Sequence, residues 1–358
     1  MSNELRIILV VLIIVLILAS LGTAVWLLFN NRLDQTIARA EEKYRLGDIN
    51  DIKDGIEIYT SLVNNKQIPQ DIAAEALLRS AEGYILLWQK TKDPSKLEVA
   101  QIRLKSVGEK FPLSSQARKA ILLSARVNFL QGNYDVALSE LDDALSKFSD
   151  PYIITEALNQ KGEIYYAIGD YEKAIWNYSR PQNMNSEQAI LGKARAYLKM
   201  DKIEKAIDLY LDFLKYNPQS VFVKDVRKTV LELMYNYAFN MYNSKDYRTA
   251  VKYFDMIVNL FPDDPKAENS YYWIAECFYD RRDWDEALSY FGKVLENRSS
   301  TAKDPDALFK LGMCWFELKD YYKALKYFEE LLDKFPESRL VPKAQAWKEQ
   351  TIREIKYQ

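Results

Sequence analysis

The sequence contains no histidine, and this absence excludes several kinds of active site. Ser-His-Asp and Cys-His nucleophile pairs, a histidine general base and every histidine-containing metal site are ruled out. The two cysteines can form neither a disulfide framework nor a four-cysteine zinc site. We therefore expect no catalytic, cofactor-binding or metal-binding residues, and the composition favours a binding or scaffolding protein over an enzyme.

Glycine and proline are also scarce, with 11 residues of each among 358, which indicates a chain rich in helix. Neither sign of charge dominates, because 49 lysines and arginines face 51 aspartates and glutamates, for a net charge of −2. Without a general positive field, binding to nucleic acid is not expected. Apolar residues make up 48% of the chain, as in folded globular proteins.

Residues 7–29 form one long uncharged stretch, IILVVLIIVLILASLGTAVWLLF. As a helix with a rise of about 1.5 Å per residue, it would span the ~30 Å hydrocarbon core of a lipid bilayer. A cleaved signal peptide is the alternative, but its apolar region would be shorter and would end at small residues. Here further apolar residues follow the small residues at 19–24. An uncleaved transmembrane helix over residues 7–29 is therefore predicted, after a short tail of residues 1–6.

The charges beside residues 7–29 give opposing indications of its orientation. Arg6 precedes the stretch and Arg32, Arg39, Lys43 and Arg45 follow it, which by the positive-inside rule favours a cytoplasmic body. However, long domains are translocated largely regardless of such charges, and a short tail before a long apolar run resembles a signal anchor. We expect a single-pass inner-membrane protein with a periplasmic body, and a cytosolic body is the alternative.

The rest of the chain is built on a repeated block. Six copies, each ending in alanine, occupy residues 132–137, 169–174, 201–206, 245–250, 282–287 and 319–324. A second small residue precedes each of these alanines by 12 residues, and a large apolar or aromatic residue follows each by four. Two antiparallel helices that meet at small residues explain this spacing, because residues four apart lie on one helix face.

The block resembles the tetratricopeptide repeat (TPR), and the copy at residues 306–336 is nearly complete. It carries Leu308, Leu311, Gly312, Trp315, Ala324, Phe328, Leu331 and Pro336. Two degenerate copies, around Ala81 and Ala40, extend the array toward residue 33. The resemblance implies an all-α fold, a right-handed superhelical solenoid of about eight helix-turn-helix repeats over residues 33–340. A capping helix is predicted for residues 341–358.

The resemblance also implies a binding groove, because the first helix of each repeat lines the concave side of such solenoids. In the last three repeats, the groove positions carry mostly aromatic side chains, which dominate protein interfaces. A groove for an apolar or helical peptide segment is predicted from eight residues. They are Tyr235, Phe239, Tyr242, Tyr272, Tyr279, Phe309, Met313 and Phe316. The alternative is that these side chains pack between neighbouring helices.

Three single features lead to further expectations. No three successive repeats carry the lysines, asparagines and arginine with which the family's known clamp binds acidic chaperone tails, so such tails are not expected partners. Cys277 and Cys314 are expected to be buried free thiols, because equivalent positions on stacked helices lie about 8–10 Å apart. The segment Ser179-Arg180-Pro181 should end the second helix of the fourth repeat early.

The sequence therefore predicts a membrane-anchored TPR scaffold or adaptor that contacts the bilayer through residues 7–29. Its function would be to bind protein partners in the assembly or organisation of a bacterial cell-envelope complex, because the last repeats resemble those of envelope-assembly proteins. One alternative is a structural subunit of a large periplasmic machine such as a flagellar collar, in which the chain would form a homo- or hetero-oligomer. Another is an enzyme, or a regulator of one, that uses the concavity of the solenoid.

Overall fold

A computed structural model describes residue 23 and residues 27–183, 185–296 and 303–357. Within these ranges the chain forms seventeen α-helices and no β-strand. Apart from Thr23 and residues 27–29, the predicted transmembrane helix at 7–29 lies outside the described residues. No helix of the described part is both long and apolar enough to cross a bilayer.

The helices are short and follow one another as antiparallel pairs. The first, α1, covers residues 27–46. The others are α2 (Ile49–Asn64), α3 (Gln70–Thr91), α4 (Ser95–Lys110), α5 (Ser115–Leu130), α6 (Tyr134–Lys147), α7 (Pro151–Ala167), α8 (Tyr171–Tyr178), α9 (Glu187–Lys199), α10 (Ile203–Tyr216), α11 (Val223–Asn243), α12 (Tyr247–Leu260), α13 (Pro265–Asp280), α14 (Trp284–Glu296), α15 (Asp304–Glu317), α16 (Tyr321–Lys334) and α17 (Val341–Tyr357). Consecutive helices contact each other from α2 to α8 and from α10 to α17. The predicted all-α fold of consecutive, paired helices is confirmed in these residues.

The chain divides into two compact units, of which the first ends at Gly192 and the second begins at Lys193. The first unit holds α1 to α8 and the beginning of α9, and α3, α5 and α7 contact one another in sequence within it. The second unit extends to α17, and α11 contacts α13 there. Each unit has its own apolar core, so each buries the faces of its helix pairs internally.

Small residues on the first helix of a pair make room for a ring on the second helix. On the second helix, the repeated alanines, such as Ala250 and Ala324, are fully buried. A Cβ atom added to Gly312 would lie 2.5 Å from Cε1 of Phe328, the aromatic residue four positions after Ala324. Gly162 contacts Tyr178 in the same way. The conserved spacing within the chain thus places glycine against an aromatic ring, and not only against another small residue.

The tight turn inside each repeat uses one left-handed residue at a fixed position, five residues before the repeated alanine. Its φ angle lies between 56° and 86° in six repeats. The six residues are Gly132, Gly169, Asp201, Lys245, Arg282 and Lys319. The second helix then begins two residues later, at an aromatic residue in five of the six. Because four of the six are not glycine, the tertiary contacts of the helix pair hold a backbone conformation that ordinary residues disfavour.

The fourth repeat has a shortened second helix, as the sequence predicted. Helix α8 has 8 residues and ends at Tyr178, immediately before Ser179. The following segment packs on α7, where Thr155 Oγ1 donates a hydrogen bond to the Gln182 carbonyl over 2.9 Å. Asn159 Nδ2 donates to Ser186 Oγ, also over 2.9 Å. Polar contacts therefore replace the missing helical turns.

Candidate functional site

The eight predicted groove residues lie on α11, α13 and α15, the first helices of the last three repeats. We call this set the aromatic face: Tyr235, Phe239, Tyr242, Tyr272, Tyr279, Phe309, Met313 and Phe316. Tyr272 is buried, with 7% of its surface exposed, whereas the other seven are half-buried. The aromatic face is therefore a set of partly accessible side chains that also pack inside the second unit.

One ring on each of the three helices packs within its own repeat. It occupies the position three residues before the small residue and contacts the phenylalanine four residues after the repeated alanine. These pairs are Tyr235 with Phe254, Tyr272 with Phe291 and Phe309 with Phe328, at centroid distances of 5.7, 5.6 and 5.9 Å. The inner edge of the aromatic face thus belongs to the hydrophobic core.

A second ring, four residues after the small residue, closes the turn of each repeat. It contacts the aromatic residue that begins the next helix. The pairs are Tyr242 with Tyr247, Tyr279 with Trp284 and Phe316 with Tyr321, at 5.8, 5.3 and 5.1 Å. The same contact occurs in the first unit, as Phe129 with Tyr134 and Tyr166 with Tyr171. The ring at this position therefore has a structural role in five repeats, independent of any contact with a partner.

Trp273, which the sequence did not single out, connects α11 to α13. Its ring lies 4.8 Å from that of Phe239 and 5.1 Å from that of Tyr242, and its Nε1 donates a hydrogen bond to Tyr235 Oη over 3.0 Å. The groove positions implied by the resemblance do not include the position of Trp273. The signal in the sequence was the run of three aromatic residues at 271–273.

The aromatic face continues to the capping helix α17. Phe316 packs edge-on against Trp347 of α17, with ring centroids 5.0 Å apart. Ala344 and Thr351 of this helix are fully buried. The capping helix therefore covers the last repeat and fixes one side of the Phe316 ring.

Lysine side chains lie over two tyrosine rings of the aromatic face. Lys310 Nζ is 4.0 Å from the ring centroid of Tyr279 and 2.8 Å from Oε2 of the buried Glu276. Lys303 Nζ is 4.7 Å from the ring centroid of Tyr272. These cation–π contacts hold lysine stems against the rings, which adds fixed positive charge beside an apolar surface.

The tyrosine hydroxyls of this face remain protonated at neutral pH. Burial raises the pKa of Tyr279 to about 12. Burial also raises the pKa of Tyr242, as do the nearby charge of Glu276 and the hydrogen bond of 3.0 Å that Tyr242 Oη donates to Asp280 Oδ2. The aromatic face can consequently offer ring surfaces and hydroxyl groups to a ligand.

Cys277 and Cys314 are buried free thiols, which confirms the expectation from the sequence. Burial raises the pKa of each thiol to about 12, so neither forms an appreciable amount of thiolate at neutral pH. Across the described ranges, no group of three or more cysteine, aspartate or glutamate side chains is arranged to hold a metal ion.

Family models match three parts of the chain. Two are described as tetratricopeptide repeats and match residues 122–179 and 188–220. The third is described as anaphase-promoting complex, cyclosome, subunit 3, and matches residues 243–331. These matches support the presence of tetratricopeptide repeats in residues 122–179 and 188–220. Proteins with such repeats mediate protein–protein interactions.

Several known proteins are similar to this chain. A TPR repeat-containing protein of Methanocaldococcus jannaschii is 28% identical over 195 residues, which are 51% of this chain and 33% of that protein. The chain thus spans about a third of the length of the curated relative it matches. A crystal structure of a tetratricopeptide repeat protein from Parabacteroides merdae is 16% identical, with coverage of 78% of this chain and 98% of that one and a TM-score of 0.36. The complex of the TPR2AB domain of yeast Sti1 with pHSP90 is 16% identical, with coverage of 66% and 98% and a TM-score of 0.29.

Proposed function

We propose that the chain is a scaffold or adaptor that binds a protein partner along the aromatic face. The observation that carries this proposal is the pre-ordered arrangement of half-exposed rings on α11, α13 and α15. These rings are held by edge or tilted contacts with four aromatic residues, Trp273, Trp284, Tyr321 and Trp347. Side chains that are already fixed lose little rotational freedom when a partner binds, so more of the contact energy remains as affinity.

The partner that fits best is an apolar or helical peptide segment. Half-buried aromatic rings and Met313 offer apolar contact area, and helical segments commonly place their apolar side chains in such grooves. Tyrosine hydroxyls at the edge add hydrogen-bond donors and acceptors. Packing and binding are compatible here, because the same ring can contact its neighbour by an edge and leave a face accessible.

A charge placed within the aromatic face tests this proposal. The variant Met313→Glu should lower co-purification of cross-linked partners from cells at least tenfold, since the carboxylate would be desolvated against the partner's apolar side chains. The matched variant Leu318→Glu changes an exposed leucine just after α15 and should leave the same partners at the wild-type level. Equal losses in the two variants would contradict a binding role for this face.

We further propose that residues 7–29 anchor the protein in a bacterial inner membrane, with the repeats in the periplasm as part of an envelope complex. The uncharged length of this stretch supports the anchor, and the short tail before it, which resembles that of a signal anchor, supports the periplasmic body. Deletion of residues 2–29 should move the protein from the membrane fraction to the soluble fraction. Protease added to spheroplasts should degrade the repeats, and a protected body would contradict the periplasmic assignment.

A further inference from the structure

Whereas the aromatic face belongs to the second unit, the first unit contains a cleft of about 380 Å³. Side chains of α1, α2 and α3 line it, together with Gln116 of α5. Its apolar part is formed by Ile37, Leu62, Ile72 and Ala76. Because these side chains come from three helices of the two degenerate repeats, the cleft is a product of their particular packing.

Carboxylates gather around one arginine in this cleft. Arg79 Nε lies 2.9 Å from Glu75 Oε1 and 3.5 Å from Glu41 Oε1, and Arg79 Nη1 lies 2.9 Å from Glu82 Oε2. Tyr59 Oη donates a hydrogen bond of 2.5 Å to Glu41 Oε1, which fixes this carboxylate at the wall. The polar wall of the cleft is therefore pre-ordered.

Negative charge exceeds positive charge along this wall. Glu41, Asp71 and Glu75 line the cleft, and Arg79 is the one basic residue among the lining side chains. Glu82, which also pairs with Arg79, adds a further carboxylate beside the wall, so another cation near these carboxylates is favourable. The guanidinium already present disfavours a metal dication, because both cations would share the same carboxylates.

We propose that this cleft binds a lysine or arginine side chain of a partner protein, together with an adjacent apolar side chain. The charged end would reach Glu41 and Glu75, where it balances the excess of carboxylates. The aliphatic stem and the apolar neighbour would lie on Ile37, Leu62 and Ile72. This combination matches the cleft because long basic side chains bury their methylene groups while the charged end stays at a polar edge.

Three labelled nonapeptides test the proposal directly on the full chain. They are identical except for a central lysine, norleucine or glutamate between leucines, and their binding is followed by fluorescence anisotropy. The lysine peptide should bind about three- to tenfold more tightly than the norleucine peptide, and the glutamate peptide should bind most weakly. The preference for lysine should decrease as salt concentration rises. Equal affinities for the lysine and norleucine peptides would overturn the proposal.

Variants of the cleft wall test whether the preference for the lysine peptide arises in the cleft. Glu41→Gln and Glu75→Gln keep the size of each side chain and should each abolish most of the lysine preference without weakening the norleucine peptide. Glu57→Gln removes one carboxylate from the exposed side of α2, outside the cleft, and should change nothing. Glu75→Lys should reverse the order, so that the glutamate peptide binds better than the lysine peptide.

Two results would contradict the assignment to this cleft. One is a loss of preference in Glu57→Gln equal to that in Glu41→Gln, which would indicate general attraction to a charged surface. The other is a Glu75→Lys protein that remains folded by circular dichroism and still prefers lysine. The Met313→Glu variant of the aromatic face should keep the full lysine preference, so the failure of one proposal is separable from the failure of the other.

Discussion

Single residues determine how closely the two helices of a repeat approach. Gly312 accepts the ring of Phe328 at a distance that no Cβ atom would allow, whereas Gly108 of α4 has no neighbouring atom within 4 Å of the position that a Cβ would take. The two glycines lie inside helices but differ in their surroundings. Their substitution therefore separates packing from helix propensity.

Gly312→Ala should lower the free energy of unfolding by about 1–3 kcal/mol, because Phe328 would have to move within a tightly packed core. Gly108→Ala should instead raise it by about 0.5–1 kcal/mol, since alanine favours the helix and meets no atom. Urea unfolding monitored by circular dichroism measures both. Stabilisation by Gly312→Ala would show that the Phe328 contact does not limit this position.

The left-handed turn residue gives a second residue-level prediction. Gly169 has a φ of 86° and nothing within 4 Å of its Cβ position, so Gly169→Ala should cost about 1–2 kcal/mol from backbone strain alone. Lys319 has a φ of 62° at the equivalent position, and Lys319→Gly should be neutral or stabilising by up to ~1 kcal/mol. Thermal unfolding of both variants checks this, and changes of the same sign would contradict it.

The sequence predicted these turns better than it predicted the ring contacts. Each of the six blocks begins at a left-handed residue, which is glycine, aspartate, lysine or arginine, whereas the left-handed residues Gly47 and Lys92 lie outside the blocks. The sequence could not predict that Trp273 packs against the aromatic face, since this contact depends on which rings of α11 lie opposite it. For the same reason, nothing indicated that Tyr235, Tyr272 and Phe309 would contact the phenylalanines of their own repeats.

At the scale of elements, an aspartate caps the start of the second helix in several repeats. Asp170, Asp246 and Asp320 each accept a hydrogen bond of 3.1 Å from a backbone N–H three residues later. Such caps satisfy a donor that the helix leaves unpaired, and the negative charge lies at the positive end of the helix dipole. The short turn of each repeat can therefore start a helix abruptly.

These caps should make unfolding depend on pH in the acidic range. Hydrogen bonds from the Lys323 side chain and then from its backbone N–H lower the pKa of Asp320, and equivalent bonds lower the pKa of Asp170 and Asp246. A carboxylate whose pKa is lower in the folded state stabilises that state above its unfolded pKa of about 3.9, and loses this effect as pH falls through the folded pKa. The melting temperature should therefore decrease from pH 5 toward pH 3.

The triple variant Asp170→Asn, Asp246→Asn, Asp320→Asn tests this explanation. Asparagine can still cap a helix but does not titrate. The variant should show a smaller decrease in melting temperature between pH 5 and pH 3 than the wild type. An identical decrease in both proteins would assign the acid sensitivity to other carboxylates.

The early end of one helix followed from the sequence. Helix α8 stops at Tyr178 because Pro181 has no N–H with which to continue a helix. The cleft beside Arg79 was not predicted. It depends on how α1, α2 and α3 of the degenerate repeats pack together, and spacing does not specify that packing.

At the scale of the whole molecule, each compact unit presents a surface of different chemistry. The first unit carries the cleft with excess carboxylates, and the second carries the aromatic face. The repeat architecture explains how both arise on one fold. Positions that pack helices recur along the chain, while the neighbouring positions vary and determine what each unit can bind.

The central claim is that the aromatic face binds a protein partner, and site-specific photo-cross-linking in cells tests it most directly. A photoreactive residue at Tyr242, Tyr279 or Phe316 should label a partner much more strongly than the same residue at Tyr322. That tyrosine of α16 is 71% exposed and lies outside the face, so it is a matched aromatic control. Labelling no stronger at the three positions than at Tyr322 would show that these rings serve internal packing alone.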